Sequence, residues 1–386
     1  MKPKIVFYTQ IYYLDAALEY IDLCSEDHHL DVLIELTAES LKAGIFNLNI
    51  DLYAYPHLIP FDLVANEWDI AYLSPYFLKC NSVYFTVHAH KRSLTLSSFY
   101  RAFKTGQYIS KLKPQYIHFD EISMRQIGLL PYLLLVKKKL ILNVHDPTPH
   151  SGEKDLKKDL YKKIIYFLIG KFVCLSDYSG SVLNKIISQN KKVHLLKLLP
   201  YTVYKNFLSD NSFYKAEYIS FIGRISPYKG VDIFLNAIEE VSKEFPDQKF
   251  IVAGNPIASY KPNTSRLNNV SFIFKHLSNY EIAEITAKSK LIVCPYIDAT
   301  QSGVIMTAYA LGCPVMVTPV GGLPEYVDNG VTGIILNTAD SLQLASQLKS
   351  YICDKKDLML KNNLMNGAFQ QDLKKANLIK MEYIYQ

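Results

Sequence analysis

Much that would place this 386-residue chain in a specialised class is missing from it. It has no low-complexity tract. With 49% hydrophobic and 20% charged residues, it has the composition of a folded chain and not of a disordered one. No apolar run reaches the roughly 18 residues of a membrane helix. The opening MKPKIVFYTQIYYLD has an apolar stretch too short and too polar for a signal peptide. Cys24, Cys80, Cys174, Cys294, Cys313 and Cys353 form no C-x-x-C pair. Several lie in apolar, strand-like runs (FVCLS, LIVCPY), which reads as buried free thiols in a reducing compartment. The expected location is the cytoplasm, reaching at most the inner face of the cell membrane. A net charge of +6 suits phosphates or an anionic membrane but is no footprint of nucleic-acid binding. There is no short-period repeat.

What is present is enough chain for two cores. In the second half, short and almost continuously apolar runs occur at 218–222, 249–254, 270–274, 290–296, 314–319 and 332–336. Strands covered on both faces have this character. Between the first two, Val231, Phe234, Leu235, Ile238 and Val241 form a single helical stripe. Strand–helix alternation predicts a parallel α/β sheet. The first half repeats the pattern less clearly, with strands expected at 4–8, 30–36, 82–88, 115–120, 140–146, 172–176 and 193–199. Residues 52–78, rich in aromatics and turns, carry no assignment. Turn chemistry near 200–215 sets the expected division: an N-terminal domain over 1–208, a C-terminal domain over 209–365, and a final helical segment, 366–386, packing back on the first.

Two segments of the second half carry chemistry. In FIGRISPYKGVDIFLNAI, a strand ends at Gly223, Arg224 follows, and Lys229-Gly230 opens a helix. Glycine admits close approach of backbone to ligand. Two cations at the carboxyl end of a parallel strand suit a diphosphate. The same residues also fit an ordinary charged turn. In CPYIDATQSGVIMTAYALGCPV, a strand leads into a loop holding Asp298, Thr300, Gln301 and Ser302, and a helix starts near Gly303. Its first N–H groups make an anion site. Simple capping by Ser302 explains the loop equally well. Thr307 lies one turn past Gly303 on the same side.

Taken together, G-R…K-G, the strand-P-x-x-[acid] loop, A-x-G-x-P-V, GGLPE and G-x-T-G occur in an order and spacing that resembles the family-4 retaining glycosyltransferases of GT-B fold. The resemblance runs from about Tyr218 to Leu336. It implies two facing Rossmann-like domains with a cleft between them, and a donor site made by Arg224, Lys229, Gly223, Thr300, Gln301, Ser302, Gly303, Val304 and Thr307. The family carries two glutamates eight positions apart. Here Thr307 takes the second place, and the first falls at Ala299, or at Asp298 if the loop is one residue longer. Asp298 is the chemically sensible substitute as a partner for sugar hydroxyls. The DATQSG loop looks like that of a subgroup with an [acid]-A-T-Q-S-G-V motif.

In the first half, LNVHDPTPHSGE resembles the His-Asp that ends a strand in some members of that family. The resemblance assigns His145 to the donor sugar, while Asp146, His150 and Glu153 are weaker acceptor candidates. Asp120 and Glu121, at another strand end, are further acceptor candidates, and 88–92 (HAHKR) weaker ones. No Cys or Asp spacing partners His88 and His90 as metal ligands. The family's glycine-rich loop after the first strand is replaced by YTQIYYLDAAL, which has no glycine. The SDYSG serine, Ser176, reads as structural. Basic segments at 136–140, 153–171 and 191–199 lie in this half, and the middle one, with lysines beside aromatic and aliphatic residues, could lie on an anionic membrane. A solvated helix face is the plainer reading.

The resemblance implies retaining, metal-independent transfer of a hexosyl-type group from a nucleotide sugar, UDP or GDP, to a glycan or lipid-linked acceptor. It points to bacterial surface polysaccharide synthesis. No cofactor is expected. An epimerase or phosphorylase would keep the fold and change the chemistry, but the chain has neither a lysine-anchored cofactor motif nor a phosphorylase's extra length. A catalytically inactive nucleotide-sugar-binding subunit is the other alternative.

Overall fold

The computed structural model describes residues 2–148, 156–209, 215–257, 260, 262 and 267–386. Packing divides the chain into two compact units, Met1–Lys197 with Lys374–Gln386, and Leu198–Leu373. Residues 198–208 pack with the second unit, because the turn Thr202–Phe207 rests on the helices Asn279–Ala287 and Gly303–Ala310. Lys374–Gln386 belongs to the first unit, where Asn377 bonds both the N–H and the carbonyl of Lys197.

The first unit holds eight strands: β1 (Lys4–Gln10), β2 (His29–Thr37), β3 (Leu58–Pro60), β4 (Ser82–His88), β5 (Tyr116–Asp120), β6 (Leu140–Val144), β7 (Lys171–Cys174) and β8 (Lys192–Leu195). Their order in the sheet is β3-β4-β2-β1-β5-β6-β7-β8, parallel except for β3 against β4. Val6, Tyr8, Ile117, Phe119, Leu142 and Phe172 are buried in one cluster with residues of the helices Leu96–Leu112 and Leu156–Leu168. Strand order reverses between β1 and β5. In open α/β sheets that reversal opens a crevice at the carboxyl edge.

The second unit holds β9 (Tyr218–Ile222), β10 (Lys249–Gly254), β11 (Val270–Phe274), β12 (Ser289–Cys294), β13 (Val315–Val317) and β14 (Gly333–Ile335). The order is β11-β10-β9-β12-β13-β14, and every pairing is parallel. This is the two-mononucleotide Rossmann arrangement, with its reversal between β9 and β12. The helix Val231–Ser242 lays Val231, Phe234, Leu235, Ile238 and Val241 onto the sheet, all buried. The stripe read from the sequence is therefore the core face.

Strands end earlier than their apolar runs suggest. β12 stops at Cys294 because Pro295 has no N–H to give to a ladder. β6 stops at Val144, which frees His145 and Asp146 for the edge. The expectation of buried thiols holds for Cys24, Cys174, Cys294 and Cys313, whereas Cys353 is exposed and Cys80 half-buried. No helix among the described residues is long and apolar enough to cross a membrane.

Candidate functional site

In the second unit the two chemistry-bearing segments meet at the β9/β12 reversal. β9 is followed by Gly223, whose φ of +131° is a conformation that L side chains rarely adopt. Ile225 then bonds across to Asn255 and Ile257, which anchors the loop to the end of β10. Arg224, between these anchors, is exposed, and Lys229 is half-buried. Gly230 closes the turn with φ +69°, and a Cβ there would lie 1.8 Å from the Pro295 carbonyl oxygen. The loops after β9 and β12 are thus in backbone contact. The Ile297 N–H donates to the Tyr228 carbonyl at 2.8 Å and locks them.

That contact sets the position of Lys229. Its Nζ lies 3.8 Å from the centre of the Tyr296 ring and 5.3 Å from that of Tyr228. A cation so close to an aromatic face is attracted by the ring quadrupole. Tyr296 is itself buried and fixed, since Thr318 donates to its carbonyl at 2.6 Å and its hydroxyl lies 3.3 Å from Ser302 Oγ. Tyr296 was not singled out from sequence; an aromatic placed directly after the strand-ending Pro295 was the available signal.

The helix Gly303–Ala310 begins beside this lysine loop. Val304 lies 3.6 Å from where a Gly223 Cβ would be, so the two motifs touch. Ser302 occupies the cap position but makes no side-chain capping bond, which corrects the simple capping reading. The first N–H groups of a helix have no intrahelical acceptor, and the macrodipole adds positive character there. Thr300 and Ser302 are buried, and Asp298, Gln301 and Gly303 half-buried. Of the two places for the family's first acidic residue, Ala299 is buried with its carbonyl accepting from Gly322, while Asp298 is part-exposed. Thr307 is 6% exposed, one turn into the helix. Arg224, Lys229 and a helix start thus bring positive character to this reversal, and the half-buried Asp298 lies on the loop between β12 and that helix.

In the first unit a second cluster sits at the β1/β5/β6 edge. His145 Nε2 is 2.7 Å from Asp120 Oδ1. Asn143 donates to the same oxygen at 2.9 Å, and Thr9 to Oδ2 at 2.8 Å. The His145 ring stacks on Tyr13, centres 4.0 Å apart. Behind it, His118 bridges Asn143 at 2.7 Å and the Tyr385 hydroxyl at 2.7 Å.

The electrostatics follow from these contacts. Burial works against an imidazolium at His145, but the charge and hydrogen bond of Asp120, with Glu121 and Asp146, outweigh it and raise its pKa. Burial would raise Asp120, yet His145, Asn143 and Thr9 hold it below the usual carboxylate value. Burial pushes Asp15 up to about 6, against a bond from the Ala16 N–H and the charge of His145. Glu121, with φ +68°, is likewise raised by burial, with Lys162 and His145 pulling the other way. Asp120 and His145, singled out separately from sequence, are one pair. Asn143, Tyr13, Thr9 and Asp15 were missed; the polar Asn143 inside an apolar strand was the signal for one of them.

A pocket of about 460 Å³ lies farther along that edge, lined by Asp51, Tyr53, His90, Lys91, Arg92 and Thr95 among others. Arg125 grips the carbonyls of His90, Lys91 and Arg92 and pairs with Glu39 at 2.8 Å, which holds the basic loop in shape. His88 is buried against His57. Asp146 follows His145, and its carbonyl accepts from Lys162. His150 and Glu153 lie outside the described residues. Ser176 caps the helix Asp177–Asn184 by accepting from the Ser179 N–H at 3.0 Å. Among the described residues, no group of three or more His, Cys, Asp and Glu is placed to hold a metal ion.

Known proteins resemble this chain in sequence over its second unit and in fold over its whole length. Residues 216–354 match the family described as Glycosyl transferases group 1. A D-inositol 3-phosphate glycosyltransferase from Corynebacterium kroppenstedtii is 28% identical over 153 residues, 37% of this chain. The match spans only 34% of that relative's length. The sucrose-phosphate synthase of Thermosynechococcus elongatus superposes with TM-score 0.63 over 99% of this chain and 98% of its own, at 14% identity. Anabaena HepE, in complex with UDP and glucose, superposes with TM-score 0.64 over 99% of both chains, at 17% identity. The protein has the GT-B fold of two Rossmann-like α/β sheets, and its second unit matches the group 1 glycosyl transferases.

Proposed function

We propose that this protein is a glycosyltransferase that moves a sugar from a nucleoside-diphosphate sugar to a glycan or lipid-linked acceptor with retention of configuration. The observation that carries the reading is Lys229, held over Tyr296 beside Arg224 and an uncapped helix start at the β9/β12 reversal. These groups suit the two negative phosphates of a departing nucleoside diphosphate. Charge that develops in the transition state is stabilised by donors already in place. Arg224, Lys229 and the N–H groups from Gly303 onward fill the role a divalent metal has elsewhere, so we assign a metal-independent mechanism. UDP and GDP are the expected leaving groups.

Asp298 is assigned to hydroxyls of the transferred sugar, and Thr307 to the nucleotide as a neutral partner in place of a carboxylate. His145 is assigned to the sugar and Asp120 to holding it. The charge and hydrogen bond of Asp120 raise the His145 pKa and so favour its protonated form, in which it donates hydrogen bonds to the sugar. The acceptor's proton then passes to the departing phosphate oxygen as the acceptor attacks the face from which that oxygen leaves. Glu121, Asp146, His150, Glu153 and the basic pocket are assigned to the acceptor side. Bacterial surface polysaccharide synthesis is the setting we infer.

The test supplies UDP- and GDP-sugars with glycan acceptors and follows nucleotide release and product configuration by NMR. An α-linked product from an α-linked donor supports the reading, and a β-linked product contradicts retention. Thr307 favours one competing reading, a binding subunit without turnover. That subunit would bind nucleotide and release none in the presence of any acceptor.

A further inference from the structure

The helices Leu96–Leu112 and Leu156–Leu168, with the segment Met124–Leu135 between them, share one face of the first sheet. Ala102, Ile109, Leu129, Leu133, Tyr161 and Ile165 belong to a single buried cluster with β1, β5 and β6. The segments are in contact with each other. A Cβ on Gly128 would lie 2.7 Å from the Phe99 carbonyl oxygen, and Tyr161 donates to the Ser123 carbonyl at 3.0 Å. Right-handed crossovers running from β4 through β7 require this common face.

The outer side of that layer is not polar, as a solvated helix face should be. Leu96 is 91% exposed, Tyr100 62% and Phe103 54%, at a spacing that forms one stripe along the first helix. Leu134 and Leu135 continue it at 53% and 86%. On the third segment, Leu160, Ile164 and Phe167 form a second i, i+4, i+7 stripe, with Phe167 81% exposed. So many exposed large apolar side chains on one helical layer are uncommon on a protein that stays in water.

The charges among the stripes are almost all of one sign. Lys104, Lys111, Lys137, Lys138 and Lys163 are exposed around them. Across 96–112, 124–139 and 156–168, Asp159 is the single acidic residue. Large apolar side chains rimmed by lysines match a surface with an apolar interior and anionic headgroups. We propose that this helical layer docks on an anionic lipid bilayer, with the apolar stripes at the headgroup boundary and the lysines on lipid phosphates. The proposal deepens the lipid-linked-acceptor reading and rests on it for purpose, but it stands on residues apart from the donor site.

The test is flotation of the full chain with vesicles of phosphatidylcholine alone and of phosphatidylcholine mixed with phosphatidylglycerol. Binding to the mixed vesicles, weakened by salt, is expected, with little on the neutral ones. Phe103→Glu, Leu135→Glu and Phe167→Glu should each weaken binding by about tenfold, through a lost apolar anchor and an added repulsive charge. Leu342→Glu, on an exposed residue of the second unit, should not. All four should keep the native melting temperature and the native response to nucleoside diphosphate. Absence of vesicle binding, or binding indifferent to the first three substitutions, overturns the proposal. So does concentration-dependent self-association that Phe103→Glu abolishes, which would give the face to a second copy. Loss of the nucleotide response in the native chain with vesicle binding intact would sink the donor reading and leave the docking surface standing.

Discussion

His145 Nε2 and Asp120 Oδ1 lie 2.7 Å apart across neighbouring strand ends, with only 4% and 2% of the two side chains exposed. Pairing stabilises both charged forms, so each residue's stability contribution has its own pH limit. That of His145, with its pKa raised above 6.5, is full below 6.5 and lost as pH rises through the folded value. That of Asp120, with its pKa lowered below 3.8, is full above 3.8 and lost as pH falls through the folded value. Asp120→Asn should destabilise the fold most in urea unfolding below pH 6.5, by at most about 3–5 kcal/mol, because there His145 loses the partner of a buried charge, and the loss should shrink as pH rises. It should also lower the His145 pKa, readable by NMR. A His145 pKa unmoved by Asp120→Asn would contradict the assignment.

Acid sensitivity should come from other histidines, His118 among them. Burial holds His118 down at about 4, against bonding from Asn143 and the charge of Asp120. The unfolded chain takes up the proton first, so stability falls as pH drops from 6.5 toward 4. The slope is up to about 1.4 kcal/mol per pH unit. His118→Gln should reduce the urea midpoint's pH dependence in that window by one histidine's share, with His57, held at about 4, and His88, at about 3, supplying the rest, and an unchanged slope would contradict it.

Gly230→Ala should disrupt the loop contact that positions Lys229. The substitution meets both a positive φ and the Pro295 carbonyl. Gly330→Ala is the control, since its φ is also positive, at +80°, but nothing lies within 4 Å of the added carbon. The control should cost about 1–2 kcal/mol for conformation alone. Gly230→Ala should cost more in the same unfolding measurement and should lose nucleotide binding; equal costs would mean the loops do not depend on close approach.

Arg224→Ala and Lys229→Ala should each lower transfer by about 100- to 1,000-fold, the scale of losing one electrostatic donor. Tyr296→Phe keeps the ring face under Lys229 and should retain most activity. Tyr296→Leu removes the ring and should weaken donor binding, by about 0.5–2 kcal/mol for the cation–ring contact. Near-normal turnover in both cation variants would remove the diphosphate assignment.

Legibility of the chain followed the range of the interactions. YISFI and KFIVAG coincide with β9 and β10, because a strand buried on both faces is a local apolar run, and VSFIF coincides with β11 although that edge strand is only half-buried. β3 could not be read: three residues ending in proline, antiparallel at the sheet edge, leave no run to find. Arg224 and Lys229 were legible because turn glycines mark both ends of their loop. Their dependence on Tyr296 was not, since it arises only where the loops after β9 and β12 meet. Asp120 and His145 likewise become a pair only through the β5–β6 ladder, and Tyr13 and Asp15 reach the same edge from β1.

The most direct measurement is thermal stabilisation by UDP, GDP, ADP, CMP and dTDP of the native chain, Arg224→Ala and Lys229→Ala. A ligand that binds only the folded state must stabilise it, by about 2.7 kcal/mol at a hundredfold excess over its dissociation constant. The account predicts a shift with one nucleoside diphosphate in the native chain and its loss in both variants. No shift with any of them, or an equal shift in the variants, would contradict a diphosphate site at Arg224 and Lys229.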